Sequence, residues 1–472
     1  MNYLDDNKER VPLKSKFAFG GISGTIALLS GMAFSAITFY YNVKLGLSAE
    51  LLGIGWLIFA IWNALSNLLF GFLEDRTKSA KYGRRIPYIR FGAPIFGLLF
   101  ILCWFPFVDI TNELALFVNF LVVLFLFNTL FTIIGLIGYS LPAEMCVSSK
   151  ERAKIIVFGT ISASLGFIIS FVLPVMLLTG DKSKYINPFF LVSIVIIGIL
   201  GALIVFISSF FLKENIYTQM EEPLGFIDGI KEALKSKPFI KFEISNFSYI
   251  FAQTILTTGV FYYVAYVLIL GGMMAIIPVL VVFVMIFIFV PIFSKLAGKY
   301  GLKKVYIVGL AIAGLGFFLN FILGWNLITA VFPLMLIGIG LSAIMLLRQA
   351  ITADIIDYDE TRTGKRRETS YAGMNAVFEK PAISIANWLF LFIIILFGFR
   401  QTSNTQSFGA KTGIMIILTI IPAIFLALSA LIMLFYPLDG PEWDKKKKEL
   451  IKIHEEKEKI YIQRLKEQRK IQ

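Results

Sequence analysis

The feature that most constrains this chain is a series of twelve apolar runs, each long enough to cross a lipid bilayer. A helix needs about 20 mostly apolar residues to span roughly 30 Å of hydrocarbon. The runs lie near residues 17–43, 49–73, 88–108, 113–139, 153–178, 188–212, 239–268, 273–298, 304–324, 327–353, 369–398 and 411–436. The sequence therefore predicts an all-α membrane protein with twelve transmembrane helices.

The chain carries too few charged residues to be a typical water-soluble protein. They make up 16% of its 472 residues, against about a quarter in soluble domains. One His and two Cys are too few for catalysis built on several histidines or for a metal site of Cys and His ligands. We expect no enzyme activity. Cys103 and Cys146 are predicted to be free thiols, because the first lies in an apolar run and the second beside a basic loop.

Basic residues are distributed unevenly between the loops that join the apolar runs. The net charge is +13, and the excess lies at the termini and in every second loop, whereas the alternate loops hold only Lys44, Lys182, Lys184, Arg400 and Lys411. Short basic loops mark the cytoplasmic side of a membrane protein. The pattern predicts cytoplasmic termini and a multi-pass protein of the cell membrane. It offers no interleaved aromatic and basic surface for nucleic acid.

A short motif recurs at the corresponding place in each half of the chain. Residues 82–85 follow the second run and read Tyr-Gly-Arg-Arg, and residues 300–304 follow the eighth and read Tyr-Gly-Leu-Lys-Lys. Two six-helix halves with substrate bound between them are typical of secondary transporters, although a cytoplasmic loop can be basic and contain glycine without any repeat. The predicted division is a cytoplasmic N-terminus at 1–16, a six-helix bundle at 17–212, a cytoplasmic central loop with an interfacial helix at 213–237, a second six-helix bundle at 238–436 and a basic cytoplasmic tail at 437–472.

Ionisable residues inside the apolar runs are costly to bury, and they mark candidate functional sites. Arg348 lies roughly two turns before the end of the tenth run, and Glu379 and Lys380 lie about ten residues into the eleventh. Adjacent residues on a helix point about 100° apart, so Glu379 is not a straightforward partner for Lys380. Lys380 therefore either contacts a substrate or coupling group, or fixes its helix to a neighbouring one.

Two further groups of residues are candidates for gating and binding. Asp354 and Asp357 lie three residues apart at the end of the tenth run, which places them on one face of a helix. They can form a latch to basic residues of neighbouring loops that opens in one transport state, or a static clamp. In the seventh run, Tyr262 and Tyr263 are among several polar residues that could line a water-filled cavity.

Three segments resemble motifs of one transporter family. They are residues 71–87 after the second run, 139–152 after the fourth, and 353–368 between the tenth and eleventh, which begins Ala-Asp-Ile-Ile-Asp-Tyr. They are similar to the loops of the glycoside–pentoside–hexuronide:cation symporters, a melibiose permease-like branch of the major facilitator superfamily that also contains lysophospholipid symporters. The resemblance covers essentially the whole chain. It implies two six-helix bundles, alternating access, and a monomer in the bilayer that binds a small-molecule or lipid-like substrate.

The resemblance and the polar residues of the runs together define the candidate site. Residues expected to bind the substrate or the coupling ion are Lys380, Glu379, Asn63, Asn67, Asn375, Arg348, Tyr262 and Tyr263. Residues expected to form the cytoplasmic gate are Asp75, Arg84, Arg85, Glu144, Arg152, Asp354, Asp357 and Arg366. Among them, Lys380 matches the lysine that the family carries on its eleventh helix.

The chain departs from the family pattern where relatives bind the coupling cation. Two acids that bind Na⁺ or H⁺ on the second helix of such relatives correspond to Asn63 and Asn67, and a further acid corresponds to Gly135. Sugar-binding charged positions correspond to Ala27 and Thr160. An asparagine can offer Na⁺ a carbonyl oxygen, but it supplies no negative charge and carries no proton. The resemblance therefore implies a degenerate cation site at Asn63 and Asn67, with Na⁺ or H⁺ coupling in doubt, and no other cofactor.

The predicted function is secondary transport of a small organic solute, of sugar or glycoside type by the family resemblance. A lysolipid or another amphiphile is the alternative substrate. A non-transporting sensor or scaffold on the transporter fold is the alternative of another class, because the coupling acids are missing. A membrane-embedded enzyme is disfavoured because the runs hold no histidine and only scattered acids.

Overall fold

The computed structural model is almost entirely α-helical. It describes residues 4–5, 8–76, 85–146, 149–180, 186–212, 234–363, 368–440, 442–443, 445–447 and 449. Its long helices are α1 Leu13–Phe39, α2 Ala49–Arg76, α3 Ile86–Leu102, α4 Glu113–Met145, α5 Ser149–Leu178, α6 Pro188–Ser208, α7 Lys237–Tyr262, α8 Ile277–Tyr300, α9 Leu302–Leu323, α10 Leu327–Thr363, α11 Glu368–Leu396 and α12 Phe408–Leu434. The N-terminal segment adds two short antiparallel strands, β1 Leu4–Asp5 and β2 Lys8–Glu9.

The helices agree closely with the predicted runs. Within the described residues, eleven helical segments are long and apolar enough to cross a membrane, and α3 is apolar but shorter. The third run was expected to reach residue 108, but α3 ends at Leu102, because Pro106 has no N–H to donate to the carbonyl oxygen of Leu102 and its ring would clash with that carbonyl. The count of twelve spans and the orientation of the chain stay predictions. The interfacial helix predicted at 213–237 lies almost wholly outside the described residues.

Helix α10 is longer than its apolar run, which ends at residue 353. It continues to Thr363 through a polar segment, because helix formation depends on local propensity as well as on apolar packing. An ion pair between Arg362 and Asp359, at 3.2 Å and one turn apart, supports this extension. The tenth helix therefore extends beyond the apolar run by about three turns, and these turns carry the predicted gate residues Asp354 and Asp357.

Close packing within the first half depends on small residues. A Cβ atom at Gly166 of α5 would lie 2.3 Å from the carbonyl oxygen of Gly24 on α1, so the two helix backbones touch where they cross. Cys103 and Cys146 are both buried and unbridged, which confirms the prediction of free thiols. The packing of this half thus rests on close helix contact rather than on covalent links between these two residues.

The ends of α1 and α7 carry the same turn. Helix α1 continues into a π-helical turn at Tyr40–Lys44, and α7 continues into one at Tyr263–Val267. In each case the chain then reaches a residue with positive φ, Gly46 at 83° and Ile269 at 56°. Because α1 and α7 are the first helices of the two predicted halves, the shared turn supports the internal repeat.

The two predicted halves meet at the end of the molecule that holds these π-helical turns. The rings of Phe39 and Phe261 lie 5.8 Å apart between centroids, and the Tyr262 hydroxyl donates to Asn42 Oδ1 at 3.0 Å. Both contacts join α1 to α7. The charge pattern predicts that this end is extracellular, and the structure therefore has the contacts expected of a state closed on that side.

Replacing Ile269 by glycine is expected to stabilise the protein. An L-residue in the left-handed region costs about 1–2 kcal/mol, and Gly46 shows that the matching turn of the first half is built with glycine. Greater chain entropy of glycine in the unfolded state offsets part of the gain, so we expect a net increase of about 1 kcal/mol. The measurement is the melting temperature in one detergent. Gly46→Ala is the matched control and should lower it, and a lower value for Ile269→Gly would contradict the strain.

Candidate substrate and coupling site

Lys380 of α11 reaches across to the first half of the molecule. Its Nζ lies 3.2 Å from Ser66 Oγ on α2 and 2.9 Å from Thr132 Oγ1 on α4. Both hydroxyls are buried, and no carboxylate in the described part of the chain forms an ion pair with this ammonium group. In this state Lys380 fixes α11 to two helices of the other half, which is one of the two roles that its sequence position left open. Its contact with a substrate stays a prediction.

Two asparagines with unpaired amide atoms lie on the same two helices. Asn63 comes three residues before Ser66 on α2, and Asn128 comes four residues before Thr132 on α4. Both are buried. The Oδ1 of Asn63 and both side-chain polar atoms of Asn128 have no hydrogen-bond partner among the described residues. Because buried polar atoms are nearly always paired, these groups are free to bind a polar ligand.

Asn128 was not among the sequence-derived candidates, although a signal for it exists. It lies four residues before Thr132 in an otherwise apolar run, and this spacing places both side chains on one face of α4. The side chain of Asn67 lies outside the described residues. The degenerate cation site at Asn63 and Asn67 therefore stays a prediction.

Glu379 points away from its neighbour Lys380 and pairs with Arg348 of α10. Glu379 Oε1 lies 3.0 Å from Arg348 Nη1. Asn246 of α7 bridges the pair, because its Nδ2 donates to Glu379 Oε1 at 2.9 Å and its Oδ1 accepts from Arg348 Nη1 at 3.3 Å. Three helices of the second half thus meet at one ion pair, as the divergence of adjacent side chains on α11 required.

A second acid, Glu243 of α7, belongs to this group and was missed from the sequence. Its side chain is completely buried, and neither carboxylate oxygen has a hydrogen-bond partner among the described residues. It interacts electrostatically with Glu379 and Arg348 and faces Asn246, one turn further along α7. It is the one acidic residue of the apolar run 239–268. A lone acid in such a run marks a candidate functional residue, and Glu243 could have been identified on that ground. We call Glu243, Asn246, Arg348 and Glu379 the Arg348 cluster.

Two of the other three predicted binding residues use their hydroxyls in contacts inside the protein. The Tyr262 hydroxyl serves the contact between the halves, and the Tyr263 hydroxyl donates to the carbonyl oxygen of Gly324 at 2.6 Å. Both hydroxyls are therefore occupied in this state. Asn375 lies one turn before Glu379 on α11, and its Oδ1 has no partner in the described part of the chain. A role for these three residues in substrate binding stays a prediction.

A buried network of neutral side chains joins four helices near the closed end. Asn387 Oδ1 of α11 accepts from the hydroxyls of Thr38 on α1, at 3.3 Å, and Thr258 on α7, at 2.8 Å. Trp56 of α2 donates its indole N–H to the Thr38 hydroxyl at 3.1 Å. Because the network links both halves with hydrogen bonds alone, it can separate without leaving a charge unpaired.

The predicted gate residue Asp354 binds the segment that follows α12 rather than a loop between helices. Its Oδ2 accepts from the indole N–H of Trp443 at 3.1 Å, and its Oδ1 pairs with Lys447. The Tyr358 ring lies edge-on to Trp443. The tail therefore contacts the polar end of α10. The sequence did not predict this contact, because Asp354 and Trp443 lie 89 residues apart in the chain.

The remaining gate residues are described only in part. Arg85 is buried at the start of α3, Arg152 lies in the first turn of α5, and Asp357 lies on α10. Asp75 and Glu144 lie on α2 and α4, but their side chains fall outside the described residues, as do Arg84 and Arg366 altogether. Their roles in gating stay predictions.

Comparison with known proteins identifies the family of the chain. Residues 18–440 match the family model described as MFS/sugar transport protein. The chain belongs to this family. It is 26% identical to the uncharacterized symporter YnaJ of Bacillus subtilis (strain 168), over 97% of this chain and 98% of that protein. It is 22% identical to the glucuronide carrier protein homolog of Escherichia coli (strain K12), over 95% of this chain and 96% of that protein.

A solved structure supports the same fold. The nucleoside transporter NupG superposes with a TM-score of 0.61 at 15% identity, over 90% of this chain and 100% of that chain. At this identity the likeness shows the fold alone. The family match and the symporter and carrier relatives confirm the resemblance to glycoside–pentoside–hexuronide:cation symporters. The protein is a multi-pass integral membrane transporter of the MFS/sugar transport family, and it is not an enzyme.

A double-mutant cycle tests the ion pair of the Arg348 cluster. Arg348→Met and Glu379→Gln should each lower the melting temperature, because each leaves a partner group without its opposite charge. The double variant should lose less than the two single losses combined, with a coupling energy of about 1 kcal/mol. If the loss of stability in the double variant equals the sum of the losses in the two single variants, the pair contributes nothing to stability.

Proposed function

We propose that the protein is a secondary transporter of a small anionic solute of sugar type, which works by alternating access between bundles 17–212 and 238–436. The observation that carries the proposal is the position of Lys380. Its ammonium group lies between the two halves and is held by hydroxyls, without an ion pair to a carboxylate in the described part of the chain. A charge held in this way is stabilised by an opposite charge, and the anionic group of a substrate supplies it.

The groups around Lys380 suit a polyhydroxylated solute. Ser66, Thr132, Asn63 and Asn128 provide hydroxyl and amide groups on two neighbouring helices, and amide atoms of both asparagines are unpaired among the described residues. Such groups can donate to and accept from sugar hydroxyls. The name of the glucuronide carrier homolog concerns a sugar that bears a carboxylate. This is the chemistry that a lysine among neutral polar groups would recognise.

The direction of closure suggests which state the structure represents. Contacts between α1, α7 and α11 gather at the end that the loop charges predict to be extracellular. We infer a monomer with cytoplasmic termini whose solute path is closed on the outside. Opening to the outside requires these hydrogen bonds to break. Lys380 lies about two turns before Asn387 on α11, nearer the end of the helix that is predicted to be cytoplasmic. Its hydrogen bonds to α2 and α4 can therefore hold the halves together during that change.

Coupling to Na⁺ through α2 is expected to be weak. Asn63 offers a carbonyl oxygen but no charge, and the Lys380 ammonium bonds one turn away at Ser66. A cation bound there would be repelled by this lysine without a carboxylate from Asn63 to offset the repulsion. We therefore propose that solute binding is largely independent of Na⁺.

A thermal-shift panel tests the substrate class. The purified protein is heated with glucuronate, a sulfonated sugar, a neutral glycoside or a lysolipid, each with and without Na⁺. A ligand at about 100 times its Kd adds about 2.7 kcal/mol to the folded state. We expect the two anionic sugars to raise the melting temperature equally with and without Na⁺.

Other outcomes of the panel would point elsewhere. A shift by lysolipid alone would favour the amphiphile as substrate. A sugar shift that grows with Na⁺ and disappears in Asn63→Ala would show that carbonyl oxygens suffice to bind the cation. A ligand that binds without crossing the membrane of proteoliposomes would favour a sensor over a transporter.

Lys380→Ala is expected to abolish uptake of the anionic sugar into proteoliposomes. The folded yield should stay near that of the wild type, because the two hydroxyls left behind are neutral and small. The measurement is uptake of labelled glucuronate, with gel-filtration yield as the check on folding. Lys295→Ala, which removes an exposed lysine of α8, is the matched control and should transport normally. Wild-type uptake by Lys380→Ala would remove this lysine from the mechanism.

A further inference from the structure

The Arg348 cluster holds two acids for one base. Glu379 takes the ion pair with Arg348 and the amide of Asn246, whereas Glu243 is completely buried with both carboxylate oxygens unpaired among the described residues. If both acids were ionised, the cluster would carry a net charge of −1. An ionised carboxylate without hydrogen bonds is among the costliest groups to bury. One bound proton makes the cluster neutral and gives Glu243 a hydroxyl that can donate.

Among the residues that the structure describes, the groups around Glu243 leave it without a positive partner other than Arg348. Helix α11 presents Glu379, α10 presents Arg348 and α9 presents the Tyr306 hydroxyl. On α7 itself, the amide of Asn246 faces Glu243 but donates to Glu379.

The neighbouring charges are occupied elsewhere. Lys241 on α7 donates to the carbonyl oxygen of Phe435. Lys380 is held by α2 and α4. Asp354 on α10 is paired with Lys447. Arg348 is thus the base of the cluster, and Glu379 already uses it.

We propose that Glu243 is a proton-binding site of the second half, which keeps its proton while Arg348 is paired with Glu379 and releases it to water when Arg348 turns to Glu243. The step is balanced: the O–H bond of the Glu243 carboxyl breaks, the proton leaves to water, and the carboxylate that forms takes the guanidinium as its counter-ion. Glu379, whose side chain is 24% exposed, then keeps the amide hydrogen bond of Asn246 and gains water in place of Arg348. The proton site itself does not depend on the proposed transport function. Its consequence does rest on that function: solute movement is linked to protons through the second half of the molecule.

The site is tested without any substrate by infrared spectroscopy of the purified protein. A protonated carboxyl group has a carbonyl stretch separate from that of a carboxylate. We expect the wild type at neutral pH to show this band from a buried group, E243Q to lose it, and E50Q to keep it. Glu50 is an exposed acid in the first turn of α2, and its substitution is the same chemical change outside the cluster. A band that is unchanged in E243Q would overturn the proposal.

The pH dependence of stability is an independent measurement. An acid that stays protonated in the folded protein but ionises in the unfolded chain makes folding take up a proton, so stability falls as pH rises. Above about pH 5, where glutamates of the unfolded chain are ionised, the melting temperature of the wild type should fall with rising pH relative to that of E243Q, because glutamine mimics the protonated acid and does not titrate. E50Q should follow the wild type. A constant difference between wild type and E243Q over this range would contradict a bound proton.

Linkage to transport is tested in proteoliposomes with an imposed pH gradient and labelled glucuronate as the probe. The wild type should raise the concentration of labelled glucuronate inside the proteoliposomes above that outside. E243Q should only let the two concentrations become equal. Accumulation by E243Q equal to the wild type would overturn the linkage. Failure of the wild type to move glucuronate at all, with the infrared band present, would count against the proposed solute while the proton site still stood.

Discussion

The cost of placing charge inside a membrane-spanning protein is the constraint on which the candidate site depends. A lysine or arginine there needs polar partners from the protein itself. Lys380 finds them in two hydroxyls of the opposite half, and Arg348 finds them in Glu379 and Asn246 of its own half. These two arrangements have different consequences. The hydrogen bonds of Lys380 join the two halves, whereas the ion pair of Arg348 concentrates charge within the second half.

The two halves therefore contribute different chemistry. In the part of the chain that the structure describes, the first half surrounds Lys380 with neutral amides and hydroxyls, such as Asn63 and Asn128, which can bind a solute but cannot carry a proton. The second half holds the acids Glu243 and Glu379 beside one arginine. A transporter with neutral groups at Asn63 and Asn128 can still respond to protons, provided that titratable groups lie elsewhere in the moving parts. The Arg348 cluster meets that requirement.

Much of the fold could be predicted from the sequence, because crossing a bilayer imposes a length and an apolar composition on each helix. The site was harder to predict. Helical geometry correctly separated Glu379 from Lys380, but it could not say that Ser66 and Thr132 would face the lysine, since those contacts join residues far apart in the chain. Glu243 was overlooked because a single acid near the end of an apolar run resembles the edge of a span. Its complete burial is visible only once α7, α10 and α11 are packed.

Helix α11 connects the two chemical regions. It carries Lys380, which bonds to the first half, and Glu379, which bonds to Arg348, as adjacent residues whose side chains diverge by about 100°. It also carries Asn387, which accepts hydrogen bonds from α1 and α7 at the closed end. Because a helix moves largely as a unit, a shift of α11 that opens the closed end alters the surroundings of Lys380 and the pairing of Arg348 together. The solute binding proposed for Lys380 and the charge compensation at Glu379 are thereby linked through a single element of structure.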